Sequence, residues 1–272
     1  MSLPRSRKLV PELIELDSSP STNGALVALA AIPATEDFTT IVTRDQTAGR
    51  GRLGRAWVAP PGTSLAISVL LRPRSRGRAL PLERYGWLPI ASGVAMTETI
   101  RQAVTSSPVG FKWPNDVLIG GRKVCGVLGE LIPARTPTGG TTPLAAGVVL
   151  GAGVNISMNE AELPVPTATS LALAGAHVDR GLEDRILSGY LGHLRMLVTD
   201  YLEAGGDADA SGLRPLAREL CITLGRSVRV ELPDGAQLIG TATDLDADGR
   251  LMVTEANGRE RSVAAGDVTH VR

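Results

Sequence analysis

Apolar and polar positions follow two different periods along this chain, and the change of period divides it. Between 183 and 202, apolar residues fall at Ile186, Leu187, Tyr190, Leu191, Leu194, Leu197, Val198, Tyr201 and Leu202. That spacing returns to one face every three to four residues and predicts a long amphipathic helix. Residues 82–104 form a second helical candidate. Residues 25–31 form a third, entered through the capping cluster at 18–23 and ended before Pro33. β-branched or unbroken apolar runs at 39–43, 64–71, around Phe111, and at 116–119, 122–131 and 145–156 predict strands. The 64–71 run is largely apolar, which places it centrally in its sheet. From about Cys221 the texture changes. Short strands at 228–232, 236–243, 251–254, 261–263 and 268–271 are separated by Pro233-Asp234-Gly235, Asp248-Gly249 and Asn257-Gly258. Such a series predicts a small antiparallel barrel over 221–272, after a larger domain over 1–220. Residues 136–142, rich in Thr, Gly and Pro, read as an exposed loop.

Gly120-Gly121 is a two-residue hairpin signal. With the tip there, paired positions sum to 241. Leu118 then faces Lys123, Asp116 faces Cys125, and all four share one face of the hairpin.

Charge narrows the function classes. Lys+Arg is 28 and Asp+Glu is 28, so the formal net charge is zero, unlike a protein devoted to coating nucleic acid. Aromatics make up only 3% of the chain, too few for a base-stacking surface. The two cysteines, Cys125 and Cys221, form no CxxC and read as reduced, buried thiols. The first residues carry Arg5, Arg7 and Lys8 but no long apolar core, and no run approaches the ~18 residues of a membrane span. A cytoplasmic protein is expected.

The most informative stretch is Gln46-Thr47-Ala48-Gly49-Arg50-Gly51-Arg52-Leu53-Gly54-Arg55. Glycine permits close backbone approach, and arginine offers a planar fork for carboxylate or phosphate oxygens. With few apolar groups to anchor it, the segment is expected to order when an anion arrives. Lys112-Trp113-Pro114-Asn115-Asp116 packs a cation, a flat apolar surface, a rigid turn, an amide and a carboxylate together, as either a solvated turn or a ligand site. Glycines at 126 and 129 interrupt a good strand, as happens where a ligand or backbone approaches closely. Gly151-Ala152-Gly153-Val154-Asn155 repeats that logic, with no following helix and no third glycine to make a dinucleotide fingerprint. Asn155 reads as an amide placed to hydrogen-bond a ligand or a neighbouring loop, or as part of a plain turn. Ser21-Thr22-Asn23 is either an N-cap cluster or the polar end of a pocket for a urea- or amide-like group. His177, His193 and His270 lie in unrelated contexts and suggest no metal cage. No Walker A or nucleophile-elbow motif is present.

Taken in order, Ser21-Thr22-Asn23, the 49–55 segment, Lys112–Asp116, Lys123 with Gly126, Gly151–Asn155 and the terminal barrel resemble the biotin protein ligases. Leu53 fills a position that is often basic there. The resemblance implies an α+β fold, a mixed β-sheet with helices packed on it, of the class II synthetase-like biotin/lipoate ligase type, followed by an SH3-like barrel. It implies ATP and biotin as substrates with Mg²⁺, and no residue is assigned as a metal ligand. Lys123 and Arg52 would be catalytic. Ser21, Thr22, Asn23, Gln46, Arg50, Gly51, Arg52, Lys123 and Gly126 would surround biotin. Arg52, Arg55, Trp57, Lys112, Asn115, Asp116 and Asn155 would face the nucleotide. The implied partner is a biotin carboxyl carrier domain, with a monomer or a weak ligand-linked homodimer as the assembly. With only some twenty residues before Ser21, no DNA-binding domain and no repressor role are expected.

Overall fold

The computed structural model describes residues 2–136, 145–232, 235–264 and 266–271. The expected loop at 137–142 and the turn residues 233 and 234 lie outside them. In chain order come β1 (Leu13–Leu16), α1 (Thr22–Leu29), β2 (Thr40–Thr43), β3 (Gly49–Arg50) and β4 (Ala56–Trp57). Then follow β5 (Ser64–Leu71), β6 (Arg74–Ser75), β7 (Arg78–Ala79), α2 (Trp87–Ala103), β8 (Val109–Lys112), β9 (Asp116–Ile119), β10 (Arg122–Ile132) and β11 (Gly147–Asn155). The chain ends with α3 (Leu182–Glu203), α4 (Leu213–Leu220), β12 (Ser227–Glu231), β13 (Gln237–Leu245), β14 (Leu251–Thr254), β15 (Glu260–Val263) and β16 (Asp267–His270).

Seven strands form a mixed sheet in the order β1-β2-β5-β11-β10-β9-β8. The β1–β2 pair is parallel and the other pairs are antiparallel. Every residue of β5 is buried, as its apolar run requires, because β2 and β11 pair on both of its edges. α2 and α3 cover one face and fuse it into the main core around Trp87, Leu88, Met96, Tyr190 and Leu194. The helical period read at 183–202 is the buried stripe of α3, with only Leu202 left partly exposed. α1 covers one end of the other face through Leu26 and Ala30 against Ile41, Leu70 and Val149.

Several local expectations change. The 82–104 helix opens as a 3-10 turn (Leu82–Gly86) before α2 begins at Trp87. α1 starts at Thr22, earlier than its apolar run, because Ser21 Oγ caps it by accepting from Gly24 N (3.2 Å). β1 and α4 carry no long periodic run. α4 holds Pro215 in its first turn, where the missing N–H breaks no hydrogen bond.

The 120–121 hairpin carries the main correction. Leu118 does face Lys123, but a bulge between Lys123 and Cys125 then shifts the register. Val117 pairs with Cys125, and Asp116 pairs with Gly126. The extra residue turns Cys125 away from the Asp116–Lys123 face into the core, where burial pushes its thiol up to about 12. Both cysteines are buried and free.

The last five strands form an antiparallel sheet, β15-β14-β13-β12-β16. It is tied to the first sheet by two indoles. Trp87 Nε1 donates to Ala247 O (2.8 Å) and Trp113 Nε1 to Gly249 O (3.0 Å). This docking brings Gly266 and Asp267, at the start of β16, to the edge of the larger sheet.

The N-terminal turn is held by Asp184 of α3, which accepts from Arg5 N (3.0 Å), Ser6 N (3.0 Å) and Ser6 Oγ (2.7 Å). Burial raises this carboxyl, but the Ser6 hydroxyl and the two backbone N–H groups outweigh it and hold it below the usual range. Asp184→Ala orphans these donors and is expected to cost ~1–3 kcal/mol in thermal or urea unfolding. A depressed carboxyl stabilises above its unfolded pKa of about 4 and loses that contribution as pH falls through the lower folded value. The gap between parent and variant should therefore close below about pH 4.

Candidate active site

In front of the N-terminus of α1, the sheet face is left open, and the 49–57 segment folds over it. The resulting cavity encloses about 900 Å³, part of it open to solvent. Its floor is β11, where Gly151 and Gly153 alternate onto the open face. A Cβ on Gly153 would lie 2.6 Å from Cε2 of Trp57, and one on Gly151 would lie 2.4 Å from Asn23 Oδ1. The strand glycines are therefore required by close approach, of the Trp57 ring at Gly153 and of the Asn23 amide at Gly151.

One end of the cavity is polar and neutral. Thr22 donates to Gln46 Oε1 through its backbone N–H (2.9 Å), and its hydroxyl lies 3.1 Å from the same atom. Ser68 Oγ donates to Asn23 Oδ1 (2.6 Å) and sits 2.8 Å from Thr22 Oγ1, while Asn23 Nδ2 donates to Leu128 O (3.3 Å). The capping residue Ser21 also lines this end, so the N-cap and pocket readings of 21–23 hold together.

The other end is cationic. Lys123 Nζ lies 2.6 Å from Asp116 Oδ1. Gly126 stands beside the ammonium, where a Cβ would be 3.0 Å from Nζ. The bulge in β10 is what delivers this glycine to the site face in place of Cys125. Arg50 Nη2 is 3.5 Å from Glu130 Oε1 and also reaches back to α1, where a Cβ on Gly24 would lie 3.6 Å from it, and Arg55 is ion-paired with Asp267. Arg52 is held differently, donating to Asn115 Oδ1 (3.0 Å) and Gly266 O (3.3 Å). Among the described residues, no carboxylate ion-pairs with it. Burial lowers the Arg52 pKa, partly offset by the nearby charges of Asp116 and Asp267. The acceptors of Arg52 are neutral, so its charge is available to anionic oxygens from a ligand. The arrangement suits a molecule with a polar head and an anionic middle.

The arginine–glycine segment, expected to order around an anion, is here folded by contacts from within the chain. β3 and β4 pair through Gly49 and Trp57, and Gly51 N donates to Arg55 O (2.7 Å). Ser21, Thr22, Asn23, Gln46, Arg50, Gly51, Arg52, Arg55, Trp57, Asn115, Asp116, Lys123 and Gly126 all line the cavity. Two sequence candidates do not. Asn155 is the last residue of β11, buried, and donates Nδ2 to Thr169 O (2.8 Å), so it serves a neighbouring loop and is not part of a plain turn. Lys112 pairs with Asp116 in register and its charge is felt by Asp267, both of which line the cavity, but Lys112 is not itself in the lining. Sequence reasoning missed Ser68, Gly266 and Asp267. A lone hydroxyl in the middle of an apolar strand was the available signal for Ser68.

Comparison with known proteins agrees with this geometry. A profile of the Biotin/lipoate A/B protein ligase family matches residues 13–146, and one of the Biotin protein ligase C terminal domain matches residues 223–271. The biotin--[acetyl-CoA-carboxylase] ligase of Mycobacterium tuberculosis is 37% identical over 255 residues, covering 93% of this chain and 86% of the relative. The bifunctional ligase/repressor BirA of Bacillus spizizenii is 29% identical, covering 93% of this chain and 72% of that protein. In fold, the chain matches the Aquifex aeolicus biotin protein ligase in complex with biotin and ATP, with TM-score 0.72 and 24% identity over 96% of this chain and 99% of the other. Sequence profiles at both ends, a relative aligned over nearly the whole length and a shared fold agree: the chain belongs to the biotin protein ligase family.

Proposed function

We propose that this chain activates biotin with ATP and passes it to a lysine of a biotin carboxyl carrier domain. A biotin carboxylate oxygen attacks the α-phosphorus of ATP, the bond to the bridging oxygen breaks, and pyrophosphate leaves biotinyl-5′-AMP. A carrier lysine amine, having lost a proton to solvent, then attacks the acyl carbon and displaces AMP. One observation carries this reading: a neutral polar end and four cations share one cavity over a glycine floor. The ureido ring of biotin suits the donors and acceptors of Ser21, Thr22, Asn23 and Gln46, with Ser68 behind them. Its carboxylate would then reach Lys123, Arg50 and Arg52.

Carboxylate and polyphosphate repel each other, so joining them needs fixed positive charge in a partly dry site. The nucleophile is already ionised at neutral pH, so no strong general base is required. Asn115, Asp116, Arg52, Arg55 and Trp57, also in the lining, would then face the nucleotide. Magnesium would enter as the companion of the triphosphate, held mainly by phosphate oxygens and water.

The test is pyrophosphate release from biotin and Mg-ATP, followed by mass spectrometry of a carrier domain. A biotinyl mass on one lysine supports the reading. Equal activation of lipoate, or no pyrophosphate release, overturns it. Gly151→Ala is expected to weaken biotin binding by roughly ten- to a hundredfold, ~1.4–2.8 kcal/mol, because the new methyl displaces the Asn23 amide. Calorimetry with biotin alone measures it.

A further inference from the structure

The turn that closes over the cavity has no apolar anchor of its own. Within it Leu53 takes φ +55° and is 66% exposed, and the turn is held internally by Gly51 N to Arg55 O (2.7 Å) and Arg55 N to Arg52 O (3.2 Å). Its attachments to the rest of the molecule come from side chains. At one foot, Arg50 lies 3.5 Å from Glu130 of β10. Across the cavity, Arg52 donates to Asn115 Oδ1 (3.0 Å) on the larger domain and to Gly266 O (3.3 Å), and Arg55 pairs with the Asp267 carboxylate. Gly266 and Asp267 belong to the small C-terminal sheet, so that sheet supplies one side of the closure.

We propose that Asp267 is a positioning residue: by capturing Arg55 it holds the 51–55 turn across the cavity, so retention of the activated acid depends on the C-terminal sheet. Arg55 in turn draws the Asp267 carboxyl below the usual range, so the carboxylate stays charged at neutral pH. The hold is modest, because Arg55 is 63% and Asp267 36% exposed, and exposed ion pairs are weak. Modest strength suits the role, since the turn must also open for substrates to enter. Reaching the phosphoryl group, Arg55 would exchange one anionic partner for another.

The retention half of this inference rests on the ligase reading; the closure half does not, and the two are measured separately. Limited trypsin digestion of the full chain reports closure through the rate of cutting after Arg52. Asp267→Asn is expected to be cut about two- to fivefold faster, with Asp267→Glu close to the parent. Raising the ionic strength should speed cutting of the parent towards that of Asp267→Asn, because an exposed pair is screened. Dissociation of preformed biotinyl-5′-AMP should accelerate by the same factor in Asp267→Asn. If the parent forms no adenylate, the ligase reading fails, while digestion still judges the closure. Should Asp267→Asn loosen the C-terminal sheet itself, seen as faster cutting after Arg250, the swapped pair Arg55→Asp with Asp267→Arg decides. Restored slow cutting after Arg52 supports the inference. Unchanged cutting in Asp267→Asn, or a swapped pair that stays fast, overturns it.

Discussion

Alanine in place of Lys123 is expected to slow formation of biotinyl-5′-AMP by about a hundred- to a thousandfold, the range seen when one preorganised charge-stabilising donor is removed. The ammonium is fixed from three directions. The hairpin sets Lys123 opposite Leu118, the bulge behind it places Gly126 beside Nζ, and Asp116 grips it at 2.6 Å. A charge so held is in place before the carboxylate and phosphate meet, so its benefit requires little reorganisation during reaction. The variant also leaves the partly buried Asp116 without its cation, so some thermal stability is lost as well. Single-turnover pyrophosphate release per folded molecule, with both substrates saturating, separates the two effects. A parent-like rate there would remove Lys123 from the chemistry. Arginine is not expected to rescue, because its wider fork would press on the space Gly126 keeps clear.

How far this site was legible in the sequence depends on how many segments each part needs. The helix-period stripe of α3 and the unbroken apolar run of β5 are local patterns, and they located those elements within a residue or two. The Gly120-Gly121 tip gave the first pair of the hairpin correctly. It could not give the bulge, because a bulge is decided by how Val124 and Cys125 pack into the core, not by the turn. Motif spacing gathered most cavity-lining residues, since Arg50, Arg52 and Arg55 travel together on one short segment. It did not do so for Asn155 and Lys112, which neighbour lining residues without lining the cavity themselves. Asp267 was out of reach for a simpler reason. Its partner is Arg55, more than two hundred residues away, and only the docking of the small sheet through Trp87 and Trp113 brings them together.

Arg52→Ala is expected to release biotinyl-5′-AMP about ten- to a hundredfold faster than the parent, the loss of one charge-assisted donor set of ~1.5–3 kcal/mol. The case for Arg52 above its neighbours is electrostatic. Arg50, Arg55 and Lys123 each face a carboxylate of the protein, which already spends part of their charge. Arg52 is held by an amide oxygen and a backbone carbonyl, acceptors that orient a guanidinium without neutralising it. It is also the most withdrawn from solvent of the three arginines, so its attraction for an anion is the least screened. Arg52→Lys keeps the charge but cannot span Asn115 and Gly266 with one planar fork, so it should recover only part of the retention. Stopped-flow dissociation of preformed adenylate, with AMP release in the absence of carrier as the companion measurement, tests both variants. Equal dissociation rates for parent and Arg52→Ala would mean that the unpaired guanidinium does not meet the phosphoryl oxygens, and that the cavity retains its intermediate through the paired cations alone.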